Sequence, residues 1–467
     1  MMNRLLLLFP VVLLVFAIAC RKNNFINSSN AIIQVSADTL FFDTVFVSTG
    51  SITEFVKIVN ANDQKLRLSS VRLRGGSASY FHLNINGVAG PERDNIDLDA
   101  GDSLYIFAAV RIDPRSAGLP FVVQDSIEVA FNGNKKFIQL QAYGQNAHFL
   151  RDAVLTGSAI WDNQLPYVIL GGLRVDSNAQ LTIQAGTKVY FHADAPLLVD
   201  GSLVVNGQKY DSTKVSFQGD RLDQPYNGFP GGFPGIYFRE TSTGNHLQYA
   251  VIRNAYQAVV VLSPPAGTTP KVLLEQCIID NSYDAGILAV GGSLQANNCL
   301  ITNCGKNVVI GGGGSCQFIQ CTAASYSNTL ITHSQPVLAI ADVAQQGNST
   351  VSGDLQATFT NCIFWGGNGS VDNEVVVSRQ GTHVFNVGFT NCLWKVKAAP
   401  SGVAAAGMIA NQDPQFDSVN NSRLYYDLHL RAGSPAAGVG VGTALATDLD
   451  GNPRPASAPD LGAYQRQ

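Results

Sequence analysis

Two stretches decide the fold: LEQCIIDN, from Leu274 to Asn281, and ANNCLITN, from Ala296 to Asn303. Cys277 and Cys299 lie 22 residues apart, as do Ile279 and Ile301, and Asn281 and Asn303. With the cysteine position as reference, Ala250, Cys277, Cys299, Cys321, Cys362 and Cys392 form one column. Three residues earlier stand Leu247, Leu274, Ala296, Phe318, Phe359 and Phe389; two residues later stand Ile252, Ile279, Ile301, Ala323, Phe364 and Trp394. All three columns are small or apolar, and the positions between them are mostly polar. Successive steps are 27, 22, 22, 41 and 30 residues, so insertions fall in loops while the columns persist.

One short strand alternation per segment, at a period near 22 residues, is the pattern of a coil that buries its apolar side by stacking on neighbours. The pattern resembles right-handed parallel β-helix proteins of the pectin-lyase-like group, over residues 147–467. The closing segment, DPQF through DLGAYQ, resembles the end of many Bacteroidetes members of that group, and such an end is expected to cover the last coil. In this frame the cysteines are small buried hydrophobes. Tetrahedral zinc needs ligands from several directions, and parallel side chains in one column meet disulfide geometry poorly. Cys304 and Cys316 stand outside the column, and a bridge involving them stays open. Asn254, Asn281 and Asn303, each four past the reference, fit an amide ladder at a coil corner, because Asn tolerates left-handed backbone.

Upstream, residues 31–146 carry short strands with turns at sandwich-like spacing. SLYIFAAVRI (Ser103–Ile112) alternates apolar and polar residues, and Asn132-Gly133 marks a hairpin. The segment resembles the immunoglobulin-like modules that precede repeat domains in exported Bacteroidetes proteins. The fold class expected for the whole chain is therefore all-β: an N-terminal β-sandwich followed by a right-handed parallel β-helix.

Residues 1–19 read as a targeting segment, with Arg4 ahead of the apolar run Leu5–Ala19. Its end, Ala17-Ile18-Ala19-Cys20, resembles the lipobox of bacterial lipoproteins. That resemblance implies lipidation of Cys20 and, with Arg21 rather than Asp next, an outer-membrane location by lipid anchor, at the cell surface or the periplasmic face. Residues 20–30 read as the lipidated cysteine and a polar tether.

Of 467 residues, 14% are charged and the net charge is −4, which argues against a nucleic-acid partner. Candidate binding residues come from aligned outward positions. Arg253 and Asp280 share a column, as do Tyr256 and Tyr283; Asp284 and Lys306 are expected to share a third. Arg253 and Asp280 read either as a cross-strand ion pair or as part of a lyase site. Stacked tyrosines suit a sugar ring or a packed corner. NGFPGGFPGIYF (Asn227–Phe238) reads either as a loop bordering a groove or as a turn leading into a strand at Ile236–Phe238.

DLDGN spaces Asp448, Asp450 and Asn452 as in calcium loops but lacks the distal glutamate; calcium is the one cofactor considered, and a shaped turn is the alternative. GGGGS (Gly311–Ser315) lacks the Lys-Ser/Thr of phosphate loops. No catalytic residue is assigned. Asp-Ser/Thr-aliphatic triplets resemble the Bacteroidetes O-glycosylation sequon and imply Thr39, Thr44, Ser103, Ser126, Ser212 and Ser418 as acceptors. The expected function is a non-catalytic surface scaffold or adhesin-like module that binds a glycan or a cell-surface protein. The alternative is a polysaccharide lyase or glycoside hydrolase acting on acidic, plant or host polysaccharides.

Overall fold

The computed structural model describes residues 24–46, 53–111, 121–145, 147–222, 225–264, 269–367 and 369–467. It divides into two units, Met1–Asn146 and Ala147–Gln467.

The first unit pairs two five-stranded sheets. Alternate residues of Ser103–Val110 turn Leu104, Ile106, Ala108 and Val110 into the core, opposite Leu68, Val71, Ile127 and Val129 on the other sheet's strands. Asn132 and Gly133 both take positive φ, 45° and 80°, joining Phe121–Phe131 to Asn134–Gln145 in a two-residue hairpin. The expected tether is shorter than residues 20–30. Phe25 bridges Lys65 in parallel, Ile26 N donates to Lys65 O (2.8 Å), and the Arg67 guanidinium sits 4.6 Å from the Phe25 ring. Residues 24–30 are thus docked on the sandwich, because Phe25 has apolar and cationic surface to cover.

The second unit is a parallel β-helix with three faces. On the first, Asn245–Gln248, Val272–Glu275, Ser293–Asn297, Gly314–Ile319, Leu355–Thr360 and Phe385–Thr390 pair in parallel, one per coil. On the second run Ala250–Arg253, Ile278–Asp280, Leu300–Thr302, Thr322–Tyr326, Ile363–Gly367 and Leu393–Trp394. Gln257–Leu262, Ala285–Val290, Lys306–Gly311, Leu338–Ala341 and Val375–Ser378 continue the third. The Leu247 and Ile252 columns pair in the register read from the spacing, and both are buried. Phe318, Phe359 and Phe389 stack at 5.3 and 4.8 Å.

The column cysteines are buried and free, as are Cys304 and Cys316, so no bridge forms. Each column thiol donates to a carbonyl one coil back: Cys277 to Leu247 O (3.2 Å), Cys299 to Leu274 O (3.6 Å), Cys321 to Ala296 O (3.3 Å). Burial pushes the Cys304 and Cys316 thiols up to about 12.

Corners explain why second-face strands are so short. Asn254, Asn281 and Asn303 close one end in left-handed conformation, with φ of 62°, 56° and 49°. Tyr249, Gln276, Asn298, Gln320, Asn361 and Asn391, one before each reference position, close the other end in the same conformation.

The C-terminal segment runs backward along the outside of the second face. Val439 O accepts from Asn391 Nδ2 (2.7 Å), Val441 O from Asn361 Nδ2 (2.7 Å) and Thr447 O from Asn298 Nδ2 (2.8 Å). Beneath it, Leu300, Ile363 and Leu393 point outward and pack against Phe416, Leu428, Leu449 and Leu461. An outward apolar stripe needs such a cover, and the corner amides supply its anchor points.

Candidate functional site

Where this strap leaves the second face, the outward positions become polar and a cleft of about 300 Å³ opens. Its floor is the file of Gln218, Arg253 and Asp280, edged by the corner amides Asn254, Asn281 and Asn303. One wall is the turn at Asn227 and Gly228; the other is built by Asn328, Leu330, Leu424 and Tyr426.

Arg253 and Asp280 are register partners on adjacent coils, with Nε 3.7 Å from Oδ2. Thr302, next in the file, donates from Oγ1 to Asp280 Oδ1 at 2.8 Å. Burial pushes the Asp280 carboxyl above its ordinary range, while the Arg253 charge and the Thr302 bond pull the other way. The corner amides fix the first wall: Asn254 Nδ2 donates to Asn227 O and Asn281 Nδ2 to Gly228 O, both 2.8 Å, and Asn281 Nδ2 also reaches Asn254 Oδ1 at 2.8 Å. Asn227 and Gly228 of the Asn227–Phe238 stretch thus border the cleft, and its end, Ile236–Phe238, is a strand.

The opposite wall combines an insertion between the coils of Cys321 and Cys362 with the C-terminal hairpin that carries Leu424 and Tyr426. Asn328 Oδ1 accepts from the backbone N–H of Leu330 and Ile331, both 2.8 Å, and its Nδ2 donates to Tyr426 Oη at 3.4 Å. Deeper in this loop His333 Nε2 meets Glu374 Oε1 at 2.9 Å, with both side chains buried. A side chain at Gly366 would overlap both partners, so that glycine makes room for the pair.

Tyr256 and Tyr283 stack on each other at 5.6 Å and stay exposed, but they do not line the cleft. Gly231 lies against Tyr283, which puts the Asn227–Gly232 turn between the rings and the polar file. Asp284 and Lys306 form an ion pair of 3.0 Å, yet they are not in one column: Lys306 pairs with Ala285, because the corner is one residue shorter there.

At the C-terminus, Asp448 Oδ1 accepts from the N–H groups of Asp450 (2.9 Å) and Asn452 (2.7 Å), and Oδ2 from Gln465 N (2.8 Å). Asp450 is paired with His429 at 2.8 Å. These bonds shape the turn. Among the described residues, no group of three His, Cys, Asp or Glu is placed to hold a metal.

Of the sequon residues, Ser212 is exposed, while Thr39, Ser103, Ser126 and Ser418 are half-buried; the Thr44 side chain and Cys20 lie outside the described residues. No helix among the described residues is long and apolar enough to cross a membrane.

No protein-family model matches this sequence, and comparison with curated proteins finds no match. Among solved structures, the chain is similar to the pectate lyase Pel9A over 63% of its length and 89% of that chain, at 14% identity and a TM-score of 0.24. It is similar to a family 123 glycoside hydrolase from Clostridium perfringens over 26% of its length, at 8% identity and a TM-score of 0.19; the match spans 30% of that enzyme. Similarity to the periplasmic chaperone SfaE covers 24% of this chain and 57% of that one, at 6% identity and a TM-score of 0.17. The fold described above rests on strand register, and the activities of these proteins stay theirs.

Proposed function

We propose that this chain is a glycan-binding β-helix protein that does not cleave its ligand, held at the outer membrane through a lipid on Cys20. One observation carries the binding reading: a walled cleft whose floor offers a guanidinium, a carboxylate and four or more amides on adjacent coils. Side chains that both donate and accept suit sugar hydroxyls. Glycoside hydrolysis commonly uses two carboxyl groups flanking the bond; among the described residues lining the cleft, Asp280 is the one carboxylate. The lipid anchor is supported by the Ala17–Cys20 stretch alone. A cell-surface protein is the other partner class, and a glycan array separates the two.

A second reading, a polysaccharide lyase, draws on the same pair, since Arg253 stands beside Asp280 in the cleft. An unsaturated-product assay on acidic polysaccharides decides between them. Product formation that Arg253→Ala or Asp280→Ala abolishes would establish the enzyme; glycan retention without product supports the binding module.

A further inference from the structure

We propose that the cleft selects an uncharged glycan segment, lying along the coil axis, and discriminates against polyuronates; this rests on the glycan-binding reading. Of the described lining side chains, the charged ones are Arg253 and Asp280, and they face each other at 3.7 Å. Two further cations are matched: Lys306 with Asp284 at 3.0 Å and Lys214 with Asp211 at 2.9 Å. Asp280 makes the Arg253 pair net neutral, so a uronate carboxylate approaching Arg253 also comes up against a like charge, which is unfavourable. Neutral hydroxyls meet no such conflict. They find the amides of Gln218, Asn227 and Asn303 and the hydroxyl of Tyr426 within the same walls.

Orientation follows from register. Phe217 pairs with Ile252, so Gln218 precedes Arg253 in the file that continues through Asp280 and Thr302. Polar groups thus recur once per coil, at about 4.8 Å, a pitch comparable to one pyranose unit. Leu330 and Leu424 on the wall offer apolar surface to the C–H face of a ring.

The test is calorimetry on the full chain with cellohexaose, xylohexaose and mannohexaose beside hexagalacturonate. The expected result is that a neutral oligomer binds, with hexagalacturonate at least about tenfold weaker. Asp280→Asn, checked for an unchanged melting profile, should raise hexagalacturonate affinity and narrow that gap. Should that variant fail to fold, salt serves instead: screening weakens like-charge repulsion, so added salt should strengthen hexagalacturonate binding to the unaltered protein. If hexagalacturonate binds tightest, or added salt weakens its binding, charge exclusion is wrong while glycan binding stands. If neither class binds, the glycan reading itself falls and takes this inference with it.

Discussion

The Arg454 guanidinium donates to Asn298 Oδ1 from both Nη2 (2.9 Å) and Nε (3.1 Å), joining the C-terminal strap to a coil corner 156 residues earlier. Arg454 also donates to Gly462 O (2.8 Å), and burial lowers its pKa to about 10. A buried charge held by oxygen acceptors is lost at the cost of several bonds at once. Hydrogen bonds to charged groups are worth roughly 1.5–3 kcal/mol each, so Arg454→Ala should destabilise the β-helix unit by about 2–4 kcal/mol. Urea unfolding monitored by far-UV circular dichroism measures this; a change below about 0.5 kcal/mol would show that the strap is held elsewhere.

His429 sits between two carboxylates, with Nε2 2.8 Å from Asp450 and Nδ1 2.5 Å from Asp427, and against the Tyr464 ring. Chiefly through Asp450, and against the opposing effect of burial, its pKa rises to about 9. The folded value lies above the ordinary 6.5, so the stabilisation is full below about 6.5 and disappears as pH rises through about 9. The expected observation is a fall in Tm across that window that His429→Gln removes. Identical pH profiles for both proteins would rule this contribution out.

In the sandwich unit the sign is reversed. Glu128 is ringed by Arg74 (2.9 Å), Lys135 (3.2 Å) and Arg72 (2.8 Å). The Arg74 bond is the largest influence; burial opposes it, and Lys135 and Arg72 add to it, holding the carboxyl at about 2. Its contribution is present above about 4.5 and is lost as pH falls through about 2. Acid titration followed by hydrogen exchange of peptides from residues 53–145 should therefore show earlier unfolding of this unit in Glu128→Gln, at pH values where the parent sandwich holds.

Thiol chemistry tests the interior directly. Buried structural cysteines are inert because a reagent cannot reach them, so a thiol reagent applied to the native chain should leave the seven from Cys277 to Cys392 unlabelled. After denaturation, peptide mapping should find all seven modified. Rapid native labelling of Cys299 would place it on the surface and break the column.

What was legible in the sequence is what repeats. Leu274, Cys277 and Ile279 occupy equivalent inward positions in each coil, and one environment repeated selects one kind of side chain. The ladder from Tyr249 to Asn391 is just as periodic but sits among the mostly polar positions between the columns, since Tyr, Gln and Asn share a left-handed backbone rather than a hydropathy. The cleft was half readable. Arg253 and Asp280 follow from register, whereas Asn328, Leu330, Leu424 and Tyr426 come from an insertion and a terminal hairpin whose paths leave no spacing signal. Lys306 shows the same limit on a small scale: one residue dropped from a corner shifts its partner to Ala285.

The strap also bears on how the molecule comes apart. A stack whose units touch nearest neighbours alone can fray from either end, one rung after another. Here Val439, Val441 and Thr447 clasp three rungs, and the outer two, at Asn391 and Asn298, lie three coils apart. Loss of the Asn391 rung is thereby linked to rungs deep in the stack, and the solenoid is built to melt as a block, not to unzip.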